Sequence, residues 1–425
     1  MTLTRNILIK ILKQHPEELS INHPLGHINN PLIKTPLPSK FPGPSLSGKP
    51  LTKIQSGLSD ITTGPSRKII ARKPTQFVYS QHSHPSKDLY VIGITGTNGK
   101  TSVSYLIGEV LKSAGYNAFV LGAINSGNKD LSTPEEHDIS KIMKSHLDQG
   151  GTHFIMEVTS EGIEQARILG IEFNLKLLTN ITQDHLDFQK TFEKHQNTKL
   201  NFMREGPAHK IHPDYFEQEP IGFSTKLLGH FNLLNIKAAA CVLRHMNVDE
   251  ENIQKTLSSC SPPRGRLEFI DKGQAFLVLV DDAHTPNGLL NVLQTLKTIA
   301  NKRKGRLLVL FGCGGDRDNS KRPEMGKIAG DIADYLVITE DNPRQEASQV
   351  IIADIVNGIN PDYKDYVVIQ DRKRAIKHII SQSQNNDVVI LAGKGHETYQ
   401  ILKSETIHFD DREEASYALT NRLKN

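Results

Sequence analysis

No tryptophan occurs in the chain, aromatic residues make up only 6% of it, and cysteine appears three times. Cys241, Cys260 and Cys313 show none of the paired spacing of a zinc site, which points to a reducing compartment and buried thiols. Long apolar runs are missing as well. Nothing approaches the ~20 residues that a bilayer-spanning helix needs, so no membrane span is expected. A formal net charge of +4 over 425 residues is too small to argue for nucleic acid as a partner. Acidic residues are scarce in one place: between residues 1 and 88 the only acids are Glu17, Glu18, Asp60 and Asp88, and the same stretch holds 11 of the 21 prolines. Arg5–Leu12 could form a short amphipathic helix. From Ser20 to Lys73 the run of Pro, Ser, Gly, Asn and Lys has no packing periodicity and is expected to be extended or disordered. Such a basic, Ser-rich start also fits an organelle transit peptide, although its prolines resist a long targeting helix. A cytoplasmic location is the main expectation.

What is present begins at Tyr90. The apolar run Tyr90-Val91-Ile92-Gly93-Ile94-Thr95 leads into Gly96-Thr97-Asn98-Gly99-Lys100-Thr101, and a helical pattern follows from Ser102. A strand, a Gly-rich turn and a helix N-terminus make a phosphate-binding loop. Glycines let backbone N–H groups close on phosphate oxygens, and the helix end adds partial positive charge. Lys100 would reach the β- and γ-phosphates, with the Thr101 hydroxyl on Mg²⁺. Ile94 stands where the usual pattern has its first glycine.

Strands and helices alternate from there on. Strands are expected at Val91–Thr95, Ala118–Leu121, His153–Glu157 and Leu175–Asn180, with helices to about Ala114, over Glu136–Gln149, Glu161–Leu169 and Phe231–Arg244. After Pro262-Pro263-Arg264-Gly265 a second unit begins, with strands Phe276–Asp281, Arg306–Phe311, Tyr335–Ile338, Tyr366–Ile369 and Val388–Leu391 between helices. The order argues an α/β chain: a central P-loop ATPase-like, doubly wound domain and a C-terminal Rossmann-like domain, after an irregular N-terminal segment. The expected divisions are 1–86, 87–262 and 263–425.

Ligands of open α/β sheets lie at the carboxyl ends of the strands, so the residues just past each strand matter most. Glu157 ends a buried strand. Read alone, it fits either a metal ligand opposite the phosphate loop or an ordinary strand-end carboxylate. His185 lies just beyond the next strand, in Asn180–Asp187. Lys199, judged by periodicity alone, is a solvated lysine on a polar helix. In the second unit, four strand ends carry Asp281–Asn287, Gly312–Asp318, Asp341–Arg344 and Gly393–Glu397. Mixed Arg and carboxylate on one edge suits a zwitterionic ligand, because Arg pairs bidentately with carboxylate while acids hold ammonium.

Together these residues resemble the Mur ligase family, which joins amino acids to UDP-N-acetylmuramoyl precursors of peptidoglycan. Gly96–Thr101, Glu157, Asn180–Asp187, Gly229–Asn235, Gly265-Arg266-Leu267-Glu268 and Asp281–Pro286 match in order, over about residues 84–425. Gly314–Asp318, Lys321-Arg322-Pro323, Asp341–Arg344 and Gly393–Gln400 carry a narrower match, to members that add meso-diaminopimelate rather than lysine. The resemblance implies an ATP-dependent ligase working through an acyl phosphate, with a UDP-N-acetylmuramoyl-dipeptide and diaminopimelate as substrates, and a monomer. It implies that Gly96, Thr97, Asn98, Gly99, Lys100 and Thr101 bind ATP phosphates, that Asn232 and Asn235 lie on the adenine side, that Arg266 faces the γ-phosphate and that Asp281 holds the ribose. Thr101, Glu157 and His185 are implied for Mg²⁺. Lys199 falls where the family carries an N6-carboxylysine, which replaces the surface reading. Ser132, Thr133, Thr159 and Arg167 are implied to face the muramoyl-dipeptide, and Arg317, Asp341, Asn342, Arg344, Gly393 and Glu397 the diaminopimelate. Three departures stand out. The family's uridine-binding domain is not recognisable in residues 1–88. Thr159-Ser160-Glu161 replaces the usual Ser-Ser-His. The stretch from Lys199 to Gly229 is short, so lost strands are expected in the central sheet.

Overall fold

The computed structural model describes residues 84–126, 131–181 and 192–424. The expectations for the first 83 residues, and the one placed on His185, lie outside them. None of the described helices is long and apolar enough to cross a membrane.

The first sheet is built from β1 (Tyr90–Thr95), β2 (Ala118–Leu121), β3 (His153–Glu157), β4 (Leu175–Leu178) and β5 (His209–Ile211) in the order β2-β3-β1-β4-β5, all parallel. β1 is central, and both its faces are covered. Ile92 and Ile94 pack with α1 (Lys100–Ser113), α5 (His230–His245) and α6 (Glu250–Ser259) on one side. Val91 packs with Phe154, Met156 and residues of α2 (Glu136–Asp148) and α4 (Phe192–Arg204) on the other. That two-sided burial is why the strand sequences read as continuous apolar runs. The expected helix over Glu161–Leu169 is corrected: α3 spans only Ser160–Glu164, capped by the Thr159 hydroxyl accepting the Gly162 N–H, and turns follow it. Cys260 and Cys313 are buried as expected, whereas Cys241 is only half-buried.

The second sheet contains β6 (Glu268–Phe269), β7 (Leu277–Asp281), β8 (Leu307–Phe311), β9 (Tyr335–Ile338), β10 (Tyr366–Val368) and β11 (Val388–Ala392) in the order β10-β9-β8-β11-β7-β6, with only β6 antiparallel. Alternate residues again serve two cores. Leu277, Leu279, Val309 and Phe311 face α7 (Pro286–Arg303), α8 (Lys321–Ile332) and α9 (Ser348–Val356). Val278, Val280, Leu308 and Leu310 face α10 (Arg372–Gln382) and α11 (Asp411–Lys424). A small hairpin, β12 (Tyr399–Ile401) with β13 (Thr406–His408), follows β11. In each sheet the chain reverses its strand order beside a central strand, β1 in the first and β8 with β11 in the second. The loops after those strands are where a doubly wound sheet opens its crevice.

Candidate active site

The loop after β1 is held chiefly by backbone and amide groups. Thr97 N–H donates to the Asn180 carbonyl at 3.0 Å, Asn98 N–H donates to Asn180 Oδ1 at 2.9 Å, and Thr179 Oγ1 donates to the Asn98 carbonyl at 2.7 Å. Gly99 has φ +88°, and a Cβ there would strike Asn235 Oδ1, so glycine is required on both counts. Lys100 curls back, its Nζ donating to the Gly96 and Thr97 carbonyls at 2.9 and 3.0 Å. Asn232 and Asn235, one turn apart on α5, are both buried, and Asn235 Nδ2 donates to Asn232 Oδ1 at 3.1 Å.

Glu157, at the end of β3, is 2% exposed. Its Oε2 accepts the Thr101 hydroxyl at 3.1 Å and its Oε1 the Ala123 N–H at 2.9 Å. Burial pushes this carboxyl above its ordinary value, and the Lys100 charge with the two donors recovers only part of that. A buried carboxylate beside a hydroxyl is an oxygen donor pair suited to a hard cation such as Mg²⁺. From the turn before β6, Arg266 reaches across: its Nη2 donates to Thr101 Oγ1 at 3.2 Å and pairs with Asp282 at 2.5 Å. Asp281, at the end of β7, is fixed by the N–H groups of Leu267 at 2.7 Å and Ala283 at 2.8 Å. Burial raises it to about 6 in spite of Arg266.

The ends of β9 and β11 carry a different kind of cluster. Lys394 has no exposed side-chain surface, and its Nζ meets Asp341 Oδ1 at 3.3 Å, Asn342 Oδ1 at 3.0 Å and Glu397 Oε2 at 2.9 Å. Burial acts to raise Asp341, but Lys394 and Arg372 outweigh it and hold this carboxyl low. For Glu397, burial wins and holds it above the usual range. Gly393 has φ +112°, and a Cβ there would press on Asp341 Oδ2 at 2.8 Å. Arg344 sits at φ 55°, a left-handed conformation unusual for a side-chain-bearing residue. Its N–H donates to the Ile401 carbonyl at 3.1 Å, so the β12 hairpin holds the strained turn, while its Nη1 rests on the Gly315 carbonyl at 3.1 Å. Strain of this kind is concentrated at functional positions.

One cavity of about 680 Å³ collects these groups. Thr97 to Thr101, Glu157, Asn232, Asn235, Arg266 and Asp281 line it from the phosphate-loop side. Arg317, Asp341, Asn342, Arg344, Gly393 and Glu397 line it from the second sheet. Ser132, Thr159 and Arg167 lie on the same wall, with Arg167 anchored to the Thr133 carbonyl at 3.0 Å and to Glu135 at 3.2 Å. Three expected residues stand apart from the lining. Gly96 shapes the loop from beneath. Thr133 is 1% exposed and spends its hydroxyl on the Glu157 carbonyl at 2.9 Å. Lys199 is also 1% exposed, with Nζ donating to Ser160 Oγ at 3.0 Å, which corrects the solvated-surface reading. Its helix turns that position under α3, a tertiary contact that periodicity does not encode. Lys394 and Asp282 were absent from the expected set. Both sit inside strand-end motifs, and the available signals were a lysine between two glycines, Gly393-Lys394-Gly395, and the paired acids Asp281-Asp282.

The Mur ligase middle-domain model matches residues 94–212, and the model described as the Mur ligase glutamate ligase domain matches residues 265–395. A UDP-N-acetylmuramoyl-L-alanyl-D-glutamate–2,6-diaminopimelate ligase from Clostridium botulinum is 35% identical over 405 residues, covering 83% of this chain and 82% of the relative. The enzyme of that name from Bacillus cereus is 34% identical over 401 residues, covering 81% of each. A solved structure of a ligase with that name superposes with TM-score 0.50 at 29% identity, covering 79% of each chain. The folylpolyglutamate synthase of Mycobacterium tuberculosis, solved with ADP and AMPPCP, shares the fold, with TM-score 0.57 at 16% identity over 73% of this chain and 89% of that one.

Proposed function

The chain belongs to the Mur ligase family, and from that footing we propose that it joins meso-diaminopimelate to UDP-N-acetylmuramoyl-L-alanyl-D-glutamate at the expense of ATP. The observation that carries this is the single cavity in which a phosphate loop and a buried Glu157 face an edge of paired Arg and carboxylate groups.

The carboxylate of the nucleotide-sugar dipeptide attacks the γ-phosphorus of ATP, the bond to the bridging oxygen breaks, and ADP leaves. The diaminopimelate amine then attacks the acyl carbon of the acyl phosphate, loses a proton and expels phosphate. Lys100, released from its two carbonyls, and Arg266 offset the charge on the transferring group. Asp281, with its oxygens set by two N–H donors, accepts from the ribose, and Asn232 and Asn235 bound the adenine side. Thr101 and Glu157, with His185, are the residues that would hold Mg²⁺, which when bound neutralises phosphate charge. Lys199, fully buried beside Ser160, is assigned as the N6-carboxylysine that supports this metal site. Ser132, Thr159 and Arg167 orient the dipeptide, with Thr133 behind them. Arg317, Asp341, Asn342, Arg344, Gly393 and Glu397 take the diaminopimelate. Residues 87–262 and 263–425 act as the nucleotide and amino-acid domains, and closing them would exclude water from the acyl phosphate. The reaction is placed in the cytoplasm, with the chain acting as a monomer.

The test is ADP release with purified chain, Mg²⁺ and ATP. It should require the nucleotide-sugar dipeptide, and the amide product should appear by mass only when diaminopimelate is added. ADP release that ignores the dipeptide, or ADP release with both substrates present and no amide formed, overturns the reading.

A further inference from the structure

Asp341, Asn342 and Glu397 line the cavity, yet Lys394, which touches all three, does not. Its ammonium has three N–H donors, and each goes to a different member of that wall: two on the loop after β9, one on the loop after β11. Burying a cation this completely is costly unless every donor is matched, and an apolar side chain would fill the same volume at less cost. The geometry therefore asks what the cation does for the wall in front of it.

It determines two things. The first is orientation. Asn342 Oδ1 accepts from Lys394 and from the Ile401 N–H at 3.0 Å, so its amide nitrogen must point the other way, where it donates to Glu397 Oε2 at 2.9 Å. Glu397 Oε2 accepts both this amide and Lys394, and Oε1 accepts no hydrogen bond from the described residues. The carboxylate is thus fixed through Oε2, in a residue that lines the cavity. The second is charge. Lys394 sets one positive charge against the two carboxyl groups it joins, Asp341 and Glu397. The Arg372–Asp411 pair lies nearby at 2.7 Å without exposure on either side chain, and the Arg372 charge also helps hold Asp341 low.

We propose that Lys394 is a positioning residue for the incoming amino acid: it holds Glu397 and Asn342 in one orientation and offsets part of the negative charge of the carboxyl pair that receives an ammonium group. It touches no substrate and acts through the residues that do. The proposal rests on the ligase reading above.

The test separates acceptor binding from acyl-phosphate formation. Full-length Lys394→Met is assayed with diaminopimelate and, separately, with hydroxylamine, a small nucleophile that traps an acyl phosphate as the hydroxamate without needing the amino-acid wall. The expected result is a rise of about a hundredfold in the KM for diaminopimelate, the order reached when a buried charged partner is removed. The KM for ATP and the hydroxamate rate should stay within about threefold of wild type. Because Lys394→Met leaves two carboxylates close together and could fail to fold, Lys394→Gln is run beside it. That variant keeps a donor without the charge and should show the same split at about tenfold. Parallel loss of amide and hydroxamate formation, or an unchanged diaminopimelate KM, overturns the proposal alone. A wild-type chain that forms neither amide nor hydroxamate overturns the ligase reading and this proposal with it.

Discussion

Where β1 ends, the chain presents mainly backbone: N–H groups and carbonyls of residues 96–101, braced by Thr179 and Asn180, with Lys100 resting on two of its own carbonyls. Where β9 and β11 end, it presents side chains locked to one another, with the Lys394 ammonium at their centre. Glu157, on the first edge, is hydrogen-bonded by two neutral donors, whereas Glu397, on the second, is bonded by a cation. On the proposed reading the first edge receives an outside cation and a polyanion, and the second brings its own cation to a zwitterion. The loop depends on its glycines, because a Cβ at Gly96 or Gly99 would strike Thr179 or Asn235, while the side-chain cluster is specified residue by residue.

Mutations can break or sharpen this contrast. The largest effect belongs to the one side chain on which the first edge depends. Lys100→Ala should lower kcat/KM by roughly 10³-fold or more, since it offsets charge on the transferring phosphoryl group. A melting scan should show a much smaller change, because among the described residues the Lys100 ammonium hydrogen-bonds to carbonyls of its own loop. A variant that keeps its rate would mean that backbone alone suffices. Next comes the second edge. Arg344→Ala should reduce kcat/KM for diaminopimelate by roughly 10²–10³. Lysine, which has no second carboxylate, should lose much less, so selectivity narrows; equal losses for both amino acids would refute the role of Arg344 in choice. Lys199→Ala should cost about 10²-fold, the scale of a residue supporting a metal site. Nucleotide binding measured by calorimetry should persist, and short carboxylates should restore part of the rate if the lysine is carboxylated. The smallest effect is a pH dependence. A carboxyl raised to about 6 is ionised above that pH and takes up a proton below it, so Asp281 should lose its grip on the ribose as the pH falls. The KM for ATP should rise a few-fold between about pH 7 and 5 more steeply in wild type than in Asp281→Asn, and identical profiles would remove Asp281 from nucleotide binding.

The fold was legible because each central strand is buried on both faces, which leaves unbroken apolar runs such as Tyr90–Thr95 and Val388–Ala392 between helical patterns. Short elements left no such trace. β5 has three residues, β6 two, and the β12–β13 hairpin three per strand, too few for a period to register. The expected helix at Glu161–Leu169 overran because its apolar spacing continues past Glu164 while the backbone turns, with Ala166 at φ 56°. Site residues at strand ends could be found because topology puts strand ends together. Lys199 could not be placed from its own helix, and the burial of Lys394 depends on Asp341 and Asn342, more than fifty residues away in the chain.

Arg266 has a consequence for how such a chain can be recombined. It lies after the Pro262–Pro263 pair, on the side of the amino-acid unit, yet its guanidinium ends on Thr101 in the first turn of α1. A chimera cut at Pro262 to import another acceptor preference would therefore also import a piece of the nucleotide machinery. The graft would remain active only if the donor sequence supplies an arginine at that same turn with a carboxylate, as Asp282 does here, to steer it.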